Sequence, residues 1–432
     1  MTISHFLNKK NIFNILLAFF PISFILGNPA INLNIILFIL CSLFVYRVRI
    51  FFFNYILADK LLIIFFSVSV LSLLFNNFSN LFIKDQTIDL NNVLKTIFFF
   101  RYLLFYLSLR YLFENNKINL NLFFIISSFS VLFVSIDIFY QFYFGEDIFG
   151  FKSSHYKISG PFGEELVAGS YLQRFSLFLL LTAIFLMNKK KKIVKDTIII
   201  FIFLIILLSI IISGNRIPAI LFTLSIIISI IYLIPSRKYL LIVLLTIPLL
   251  TVSTLQLNQK IKNNFFGFYD QIKNITYNYY FNEKDFTYKK VPEHIWHFKS
   301  GIDTWSMNKM IGGGIKSFRL NCWEALKINK STWSCATHPH NYYIEILADL
   351  GLVGFLIIIS TICYFFYYFY FNRKNNQNIR VDYAFKVFFL LILMEFFPIK
   401  STGSFFSTFN AAYIFLILPI FFSIVYSKTK NE

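Results

Sequence analysis

Long apolar segments constrain this chain more than any other feature. Stretches such as Leu61–Phe75, Phe123–Tyr140 and Leu352–Phe371 approach or reach the length that a helix needs to cross a hydrocarbon layer about 30 Å thick. Because 57% of the residues are hydrophobic and only 14% are charged, a water-soluble fold would expose much of this apolar surface. Lipid also offers no partner to the backbone groups at the edge of an open sheet. The predicted fold class is therefore an all-α integral membrane protein.

The apolar segments predict about twelve transmembrane helices, with one long gap between the ninth and the tenth. The segments lie near residues 12–28, 31–46, 60–76, 93–110, 120–143, 165–187, 196–213, 217–234, 239–257, 342–371, 382–398 and 411–427. Residues 1–257 would then hold helices 1–9, and residues 342–432 would hold helices 10–12. The gap, residues 258–341, is predicted to form a large, partly helical loop.

Clusters of Lys and Arg occupy alternate gaps and predict the orientation of the chain. The clusters are Lys9/Lys10, Arg47/Arg49, Arg110/Lys117, Lys189–Lys192 with Lys195, Arg237/Lys238, Arg373/Lys374/Arg380 and Lys428/Lys430. By the positive-inside rule these residues lie in the cytoplasm, and so do both termini. The gaps predicted to face outward are residues 77–92, 144–164, 214–216, 258–341 and 399–410. No convincing cleavage pattern follows Lys9 and Lys10, which predicts an uncleaved first helix.

The predicted outward loop is basic and rich in histidine. Residues 258–341 contain twelve Lys or Arg against six Asp or Glu. Four of the six histidines in the chain also lie there: His294, His297, His338 and His340. Such a surface attracts anions, although the scattered lysines of the loop are more simply explained as solvated surface.

Two of the four cysteines, Cys322 and Cys335, lie in the same loop, whereas Cys41 and Cys363 lie in apolar segments. Compartments outside the cytoplasm permit disulfides. Cys322 and Cys335 are therefore a disulfide candidate, and the alternative is two free thiols.

His340 is predicted to lie in the first turn of the membrane helix that follows the loop. Pro339 suits the first position of a helix, and Thr337 or His338 can cap it. The free N–H groups and the dipole at such a helix start favour a diphosphate or a developing negative charge. We therefore expect a functional role for His340.

Two glycines deeper in this helix would share its histidine face. At about 100° per residue, Gly351 and Gly354 would lie about 20° and 40° from His340 around the helix axis. Such a stripe of small residues would pack against a neighbouring helix and fix the direction of the histidine.

Arg216 lies in a turn, Ser213–Pro218, between two apolar segments. An arginine there can snorkel to lipid phosphates. A guanidinium is also the best bidentate ligand for phosphate, and we expect Arg216 to bind substrate.

Arg174 lies about ten residues inside the apolar segment that begins at Glu164, where an unpaired charge costs several kcal/mol. It must therefore face a partner or a cavity, and both a structural ion pair and a substrate pocket fit this position. The candidate partners are Asp137, Glu345, Asp349 and Glu395.

Three motifs at these positions resemble one known family. His340-Asn341, followed after nine residues by Gly351-Leu-Val-Gly354, resembles the His-Asn-x9-Gly-x-x-Gly signature of the O-antigen ligase and O-antigen polymerase superfamily. Gly214-Asn-Arg216 resembles the arginine turn that precedes its large periplasmic loop. The segment Ile311–Phe318 resembles its Gly-x-Gly-x-x-x-Phe element. Many members carry an arginine upstream of that element, where this chain has His294.

The resemblance implies a C-type glycosyltransferase-like fold in the bacterial inner membrane, with a periplasmic active site. Such an enzyme moves a glycan from undecaprenyl diphosphate to a hydroxyl of a second glycan, with inversion and without a metal or cofactor. His340 would remove or orient the acceptor proton, with His338 beside it. Arg216, together with His294 or Arg319, would neutralise the diphosphate, and Arg174 is a further candidate.

The acceptor separates the alternatives within the superfamily. An O-antigen ligase, which uses lipid A–core, is the favoured reaction, and an O-antigen polymerase or a protein O-oligosaccharyltransferase remains open. The alternative from another class is a transporter or flippase for lipid-linked sugars, for which inverted repeats would be expected. No repeat between the halves is visible in the sequence. Membrane lipids are expected partners, whereas nucleic acid is not.

Overall fold

The described part of the chain contains sixteen α-helices and no β-strand. The computed structural model describes residues 9–82, 90–152, 157–186, 191–257, 259–278, 290–372, 379–401 and 403–424. The helices are α1 (Lys9–Leu26), α2 (Asn28–Tyr46), α3 (Leu57–Phe82), α4 (Leu90–Glu114), α5 (Asn121–Phe144), α6 (Ala168–Phe175), α7 (Phe178–Leu186), α8 (Lys192–Ile212), α9 (Arg216–Tyr232), α10 (Arg237–Leu257), α11 (Gln259–Lys273), α12 (Glu293–Met307), α13 (Phe318–Ile328), α14 (Tyr342–Asn372), α15 (Ile379–Glu395) and α16 (Thr408–Ile424).

Each predicted apolar segment overlaps at least one helix. Among the described residues, seven helical stretches are long and apolar enough to cross a membrane: Asn28–Phe51, Leu57–Asn77, Asn92–Glu114, Asn121–Phe144, Lys192–Ile212, Arg237–Gln256 and Tyr342–Asn372. Shorter apolar helices occupy Lys10–Leu26, Ala168–Ile184, Arg216–Tyr232 and Thr408–Ile424. The prediction of an all-α, multi-pass membrane protein is confirmed, whereas the number of about twelve spans stays a prediction.

The orientation of the chain also stays a prediction. Both termini lie outside the described residues. So do several of the cations on which the predicted orientation rests: Lys189, Lys190, Arg373, Lys374, Lys428 and Lys430. Arg110 is described, and it is fully buried inside α4. It therefore belongs to the helix bundle and not to a loop.

Helix α16 forms the centre of the bundle. All of its residues from Asn410 to Ile424 are buried, and it packs against α4 and α15. Aromatic rings fill much of this contact, as between Phe385 and Phe421, whose ring centroids are 4.9 Å apart. Because lipid tails are as apolar as these side chains, close packing of this kind holds membrane helices together.

The predicted segment at residues 165–187 is two helices, α6 and α7, with a break at Ser176 and Leu177. The hydroxyl of Tyr413 donates to the backbone oxygen of Arg174 at 2.9 Å, so this carbonyl has a partner outside the helix. Arg174 therefore lies in the last turn of the short helix α6. It also lies within the apolar helical stretch Ala168–Ile184, six residues after the start, and its depth in the membrane stays a prediction.

Helix α14 is interrupted at Gly351, whose φ of 66° is left-handed. The chain segment before α13 crosses the helix there. The N–H groups of Leu352 and Val353 donate to the backbone oxygens of Lys309 and Met310, at 2.9 and 3.1 Å. A Cβ atom at Gly351 would lie 2.3 Å from the Met310 oxygen, so only glycine allows this crossing.

The predicted glycine stripe facing a neighbouring helix is therefore wrong. Gly351 contacts the loop segment, because the break turns its face toward Met310. A Cβ atom at Gly354 would meet Leu350 of the same helix at 2.4 Å. The two glycines thus serve the break in α14 and its contact with the loop.

The buried ion pair between Arg110 and Asp59 joins α4 to α3. Nε and Nη2 of Arg110 donate to the two carboxylate oxygens of Asp59 at 2.9 and 3.1 Å, and Nη1 donates to Ser423 of α16 at 2.8 Å. Tyr106 also donates to Asp59. Both charged side chains are fully buried.

We expect Arg110→Met to destabilise the bundle by about 3–5 kcal/mol, because it leaves the buried Asp59 carboxylate without its cation. The measurement is the thermal unfolding midpoint of the purified protein in detergent. The matched control is Lys60→Met, at an exposed position of the same helix as Asp59. An Arg110→Met protein that unfolds at the wild-type temperature would contradict this role.

Candidate functional site

One cavity of about 690 Å³ collects the candidate residues. Its wall is formed by α6, the start of α9, α11, α12, the segment before α14 and the connection between α15 and α16. The predicted site residues that line it are Arg174, Arg216, His294, Arg319, His338 and His340. Gly351, Gly354 and the two loop cysteines are not among its described lining residues.

Arg216 enters the cavity from the first residue of α9. Helix α6 approaches the preceding turn closely, since a Cβ atom at Gly169 would lie 2.5 Å from the Cβ atom of Asn215. The Arg216 guanidinium lies over the ring of Phe268 in α11, 4.7 Å from its centroid. The turn thus presents a cation beside an aromatic ring at the cavity wall.

Four histidine rings lie together at one side of the cavity. The ring centroid of His340 is 4.1 Å from that of His338, 4.7 Å from that of His294 and 5.3 Å from that of His297. His297 is buried, and its Nδ1 lies 3.2 Å from the backbone oxygen of Ser334. His297 therefore connects α12 to the segment that carries His338 and His340.

The structure corrects the expected conformation at His340. Helix α14 begins at Tyr342, and Asn341 caps it, accepting from the N–H groups of Tyr343 and Ile344 at 3.0 and 3.3 Å. The predictions of a cap at Thr337 or His338, of Pro339 at the first helical position and of His340 in the first turn are wrong.

His340 instead has a left-handed backbone, with φ of 57°. A non-glycine residue in this region is strained, and the surrounding structure must hold it. The Asn341 side chain does so from the next position, donating from Nδ2 to the Pro398 oxygen at 2.9 Å. The imidazole is thus presented before the helix and not from its side.

Arg174 forms a structural ion pair and also lies at the cavity wall. It lines the cavity and forms a buried ion pair with Glu395, donating from Nε to Oε2 at 2.9 Å. Glu395 also accepts from Lys400 Nζ at 2.9 Å and from the Tyr342 hydroxyl at 2.7 Å. Two cations therefore share one carboxylate at the cavity wall, which leaves a net positive charge.

Three further cations, which were not among the predicted site residues, also line the cavity: Lys157, Lys316 and Lys400. With Arg174, Arg216 and Arg319 they make six, against Glu165 as a carboxylate among the described lining residues. The sequence contained a feature that could have indicated these three lysines. Each lies in a segment predicted to face outward, where the positive-inside rule disfavours Lys and Arg.

Asp349 holds the loop segment that carries Lys316 and Arg319. Its buried carboxylate accepts from the N–H of Lys316 at 2.7 Å, from the Ser317 hydroxyl at 3.0 Å and from the N–H of Phe318 at 2.9 Å. Helix α13 thus begins at Phe318, where the backbone N–H donates to a carboxylate of α14. Cys322 of α13 forms a disulfide with Cys335, with Cα atoms 6.0 Å apart.

Burial and positively charged neighbours lower the pKa values of His294 and Lys157, which favours their neutral forms. The pKa of His294 is lowered to about 4 by burial and by the charges of His297, Arg216 and Lys157. Burial, and then Arg216, lowers the pKa of Lys157. His294 is therefore a neutral ring in this cavity, which favours its donating role over a charged one.

The arrangement can bind an anion and accept a proton. Cations and aromatic rings surround the cavity, and histidines lie at its wall. Among the described residues, no group of three or more His, Cys, Asp or Glu side chains is arranged to hold a metal ion.

We expect His294 to make the protein less stable as the pH falls. Its folded-state pKa, about 4, lies below the unfolded value of about 6.5, so the unfolded chain binds the proton first. Stability is then lost from about pH 6.5 down to about pH 4. Unfolding midpoints measured across this range should fall less steeply in His294→Gln than in wild type or in Thr332→Ala, an exposed control. Equal slopes in all three would contradict the lowered pKa.

Comparison with protein families matches residues 201–359 to the family model described as O-antigen ligase. The matched region contains Arg216, the loop and the segment from His340 to Gly354. Comparison with curated proteins finds no match to this sequence. The family supports an activity of the O-antigen ligase type, with a lipid-linked glycan and a glycan acceptor as partners. The match confirms the resemblance found in the motifs: residues 201–359 are similar to the O-antigen ligase family, which supports the O-antigen ligase superfamily.

Proposed function

We propose that this protein is an O-antigen ligase, which transfers a glycan from undecaprenyl diphosphate to a hydroxyl of lipid A–core. The reaction takes place at the periplasmic membrane face, with inversion and without a metal ion. The observation that carries the proposal is that Arg216 and His340, from two distant turns of the chain, line one cavity.

The donor diphosphate binds at Arg216. A planar guanidinium can donate two parallel hydrogen bonds to phosphate oxygens. Lys157 and His294 line the same cavity, and the charges of both Arg216 and Lys157 act on the pKa of His294. This supports His294 over Arg319 as the companion of Arg216. The neutral imidazole of His294 donates a hydrogen bond, while Arg216 and Lys157 supply the charge.

His340 acts on the acceptor. The acceptor hydroxyl oxygen attacks the anomeric carbon of the donor sugar, and its proton passes to the His340 imidazole. The bond between the anomeric carbon and the diphosphate oxygen breaks, and undecaprenyl diphosphate leaves with the electron pair. Cations that are already in place stabilise the leaving charge without reorganisation.

The strained backbone of His340 supports this role. Left-handed non-glycine residues cluster at active sites, where the surrounding structure holds them in a productive direction. His338, with its ring centroid 4.1 Å from that of His340, is the neighbour proposed to orient it.

We expect His340→Ala to abolish glycan transfer while the protein still inserts and folds, because the side chain is removed without touching the helix cap. The assay contains purified protein, undecaprenyl diphosphate-linked glycan and a rough lipopolysaccharide acceptor. Transfer is followed by a shift in gel mobility. Thr332→Ala, an exposed residue of the same loop outside the cavity, is the control and retains transfer. Full transfer by a folded His340→Ala protein would refute the role.

We expect Arg216→Lys to weaken the use of donor about ten- to hundredfold in kcat/KM, because a point charge replaces a bidentate fork. The dependence of the rate on acceptor concentration should change little. Arg237→Lys, at the exposed start of α10 and away from the cavity, is the matched control. An unchanged donor dependence in Arg216→Lys would count against diphosphate binding there.

A further inference from the structure

We propose that Lys316 and Arg319 form a second anion-binding subsite of the cavity, which takes an acidic group, a phosphate or carboxylate, of the acceptor glycan. The inference rests on the proposed function and adds to it the chemical class of the acceptor. The donor diphosphate is already accommodated on the Arg216 side.

Both side chains line the cavity, and neither has a carboxylate within ion-pair distance among the described residues. Neither the ammonium of Lys316 nor the guanidinium of Arg319 forms an ion pair within the described part of the chain. Lys316 is half-buried, and burial followed by the charge of Arg319 lowers its pKa. The charge of Glu345 offsets only part of this effect, and an incoming anion would stabilise the partly buried ammonium further.

The carboxylates nearest to this pair are already engaged. Asp349 accepts three hydrogen bonds from the Lys316–Phe318 segment. Glu345 accepts from the Ser404 hydroxyl and from the N–H of Phe405, both at 2.5 Å. These buried carboxylates hold the backbone, so the Lys316 and Arg319 side chains remain directed to the cavity that they line.

Backbone geometry fixes the position of Lys316. Its φ of 61° is left-handed, and the hydrogen bond from its N–H to Asp349 holds the residue in this strained conformation. Arg319 lies one position after Phe318, in the first turn of α13, at the exposed rim of the cavity. The pair thus presents one inner and one outer cation on a rigid segment.

Different neighbours act on the pKa of Lys316 and on that of His294. The charges acting on the Lys316 pKa are those of Arg319, Glu345, Lys95 and Arg101. Those acting on the His294 pKa are His297, Arg216, Lys157 and His338. The strongest influences on the two groups therefore come from different residues, and Lys316 and Arg319 lie on a different chain segment of the cavity wall from Arg216.

The test is equilibrium binding of two matched probes to the full-length protein in phosphatidylcholine nanodiscs. One probe is a fluorescent oligosaccharide with a single phosphate monoester, and the other is the same molecule after phosphatase treatment. The variants are Lys316→Met and Arg319→Gln. Lys327→Gln, exposed in the same helix as Arg319 and away from the cavity, is the matched control.

We expect wild type and Lys327→Gln to bind the phosphorylated probe about ten- to hundredfold more tightly than its neutral counterpart. Each of the other two variants should lose most of this preference and keep its affinity for the neutral probe. Equal affinity of wild type for both probes overturns the proposal, and so does a preference retained in both variants. A loss of the wild-type preference for the phosphorylated probe in nanodiscs that contain phosphatidylglycerol would assign the subsite to lipid phosphate. That result would overturn the proposal too.

Glycan transfer measured in parallel separates the two hypotheses. A wild-type protein that transfers glycan without any preference for the acidic probe retains the proposed function and loses the subsite. A protein that prefers the acidic probe, but transfers to no acceptor, retains the anion site and loses the proposed function.

Discussion

The hydrogen bonds of Asp349 hold the site together. This one carboxylate of α14 organises the start of α13, and the adjacent break at Gly351 lets the loop backbone pair with the backbone of the helix. Without these bonds the loop would be tied to the bundle mainly through side chains. A buried carboxylate that accepts several hydrogen bonds is well satisfied, and removing any donor would leave a costly unpaired acceptor. The Gly-rich element and the glycines after His340 are therefore two halves of one contact.

The second constraint is the buried charge of the Arg174–Glu395–Lys400 group. Arg174 comes from α6, Glu395 from the end of α15 and Lys400 from the connection that follows. The two cations and one carboxylate have a net charge of plus one. Both Arg174 and Lys400 lie at the wall of the same cavity as Arg216. Paired charges of this kind are tolerated in a membrane protein because they face one another and an aqueous cavity instead of lipid.

The sequence predicted the helices well, and most of its candidate site residues line one cavity, because both depend on local features. The length of an apolar segment predicts a helix in lipid. The spacing from His340 to Gly354 can be recognised in the sequence without knowledge of the fold. The conformation of His340 was not predictable, since it depends on Asn341 capping α14 and binding Pro398. The glycine geometry failed for a similar reason, because a continuous helix was assumed where the loop crosses α14.

By itself, the sequence determined that this chain is a helical membrane protein and that Arg216 and His340 stand out from it. Only the tertiary structure decided that they share a cavity with Lys157, Lys316 and Lys400, which come from distant segments. It also decided that Glu395, among four candidate carboxylates, pairs with Arg174. The physical reason is that hydrophobic length and local motifs act over a few turns of chain, whereas pairing between charges depends on which helices pack together.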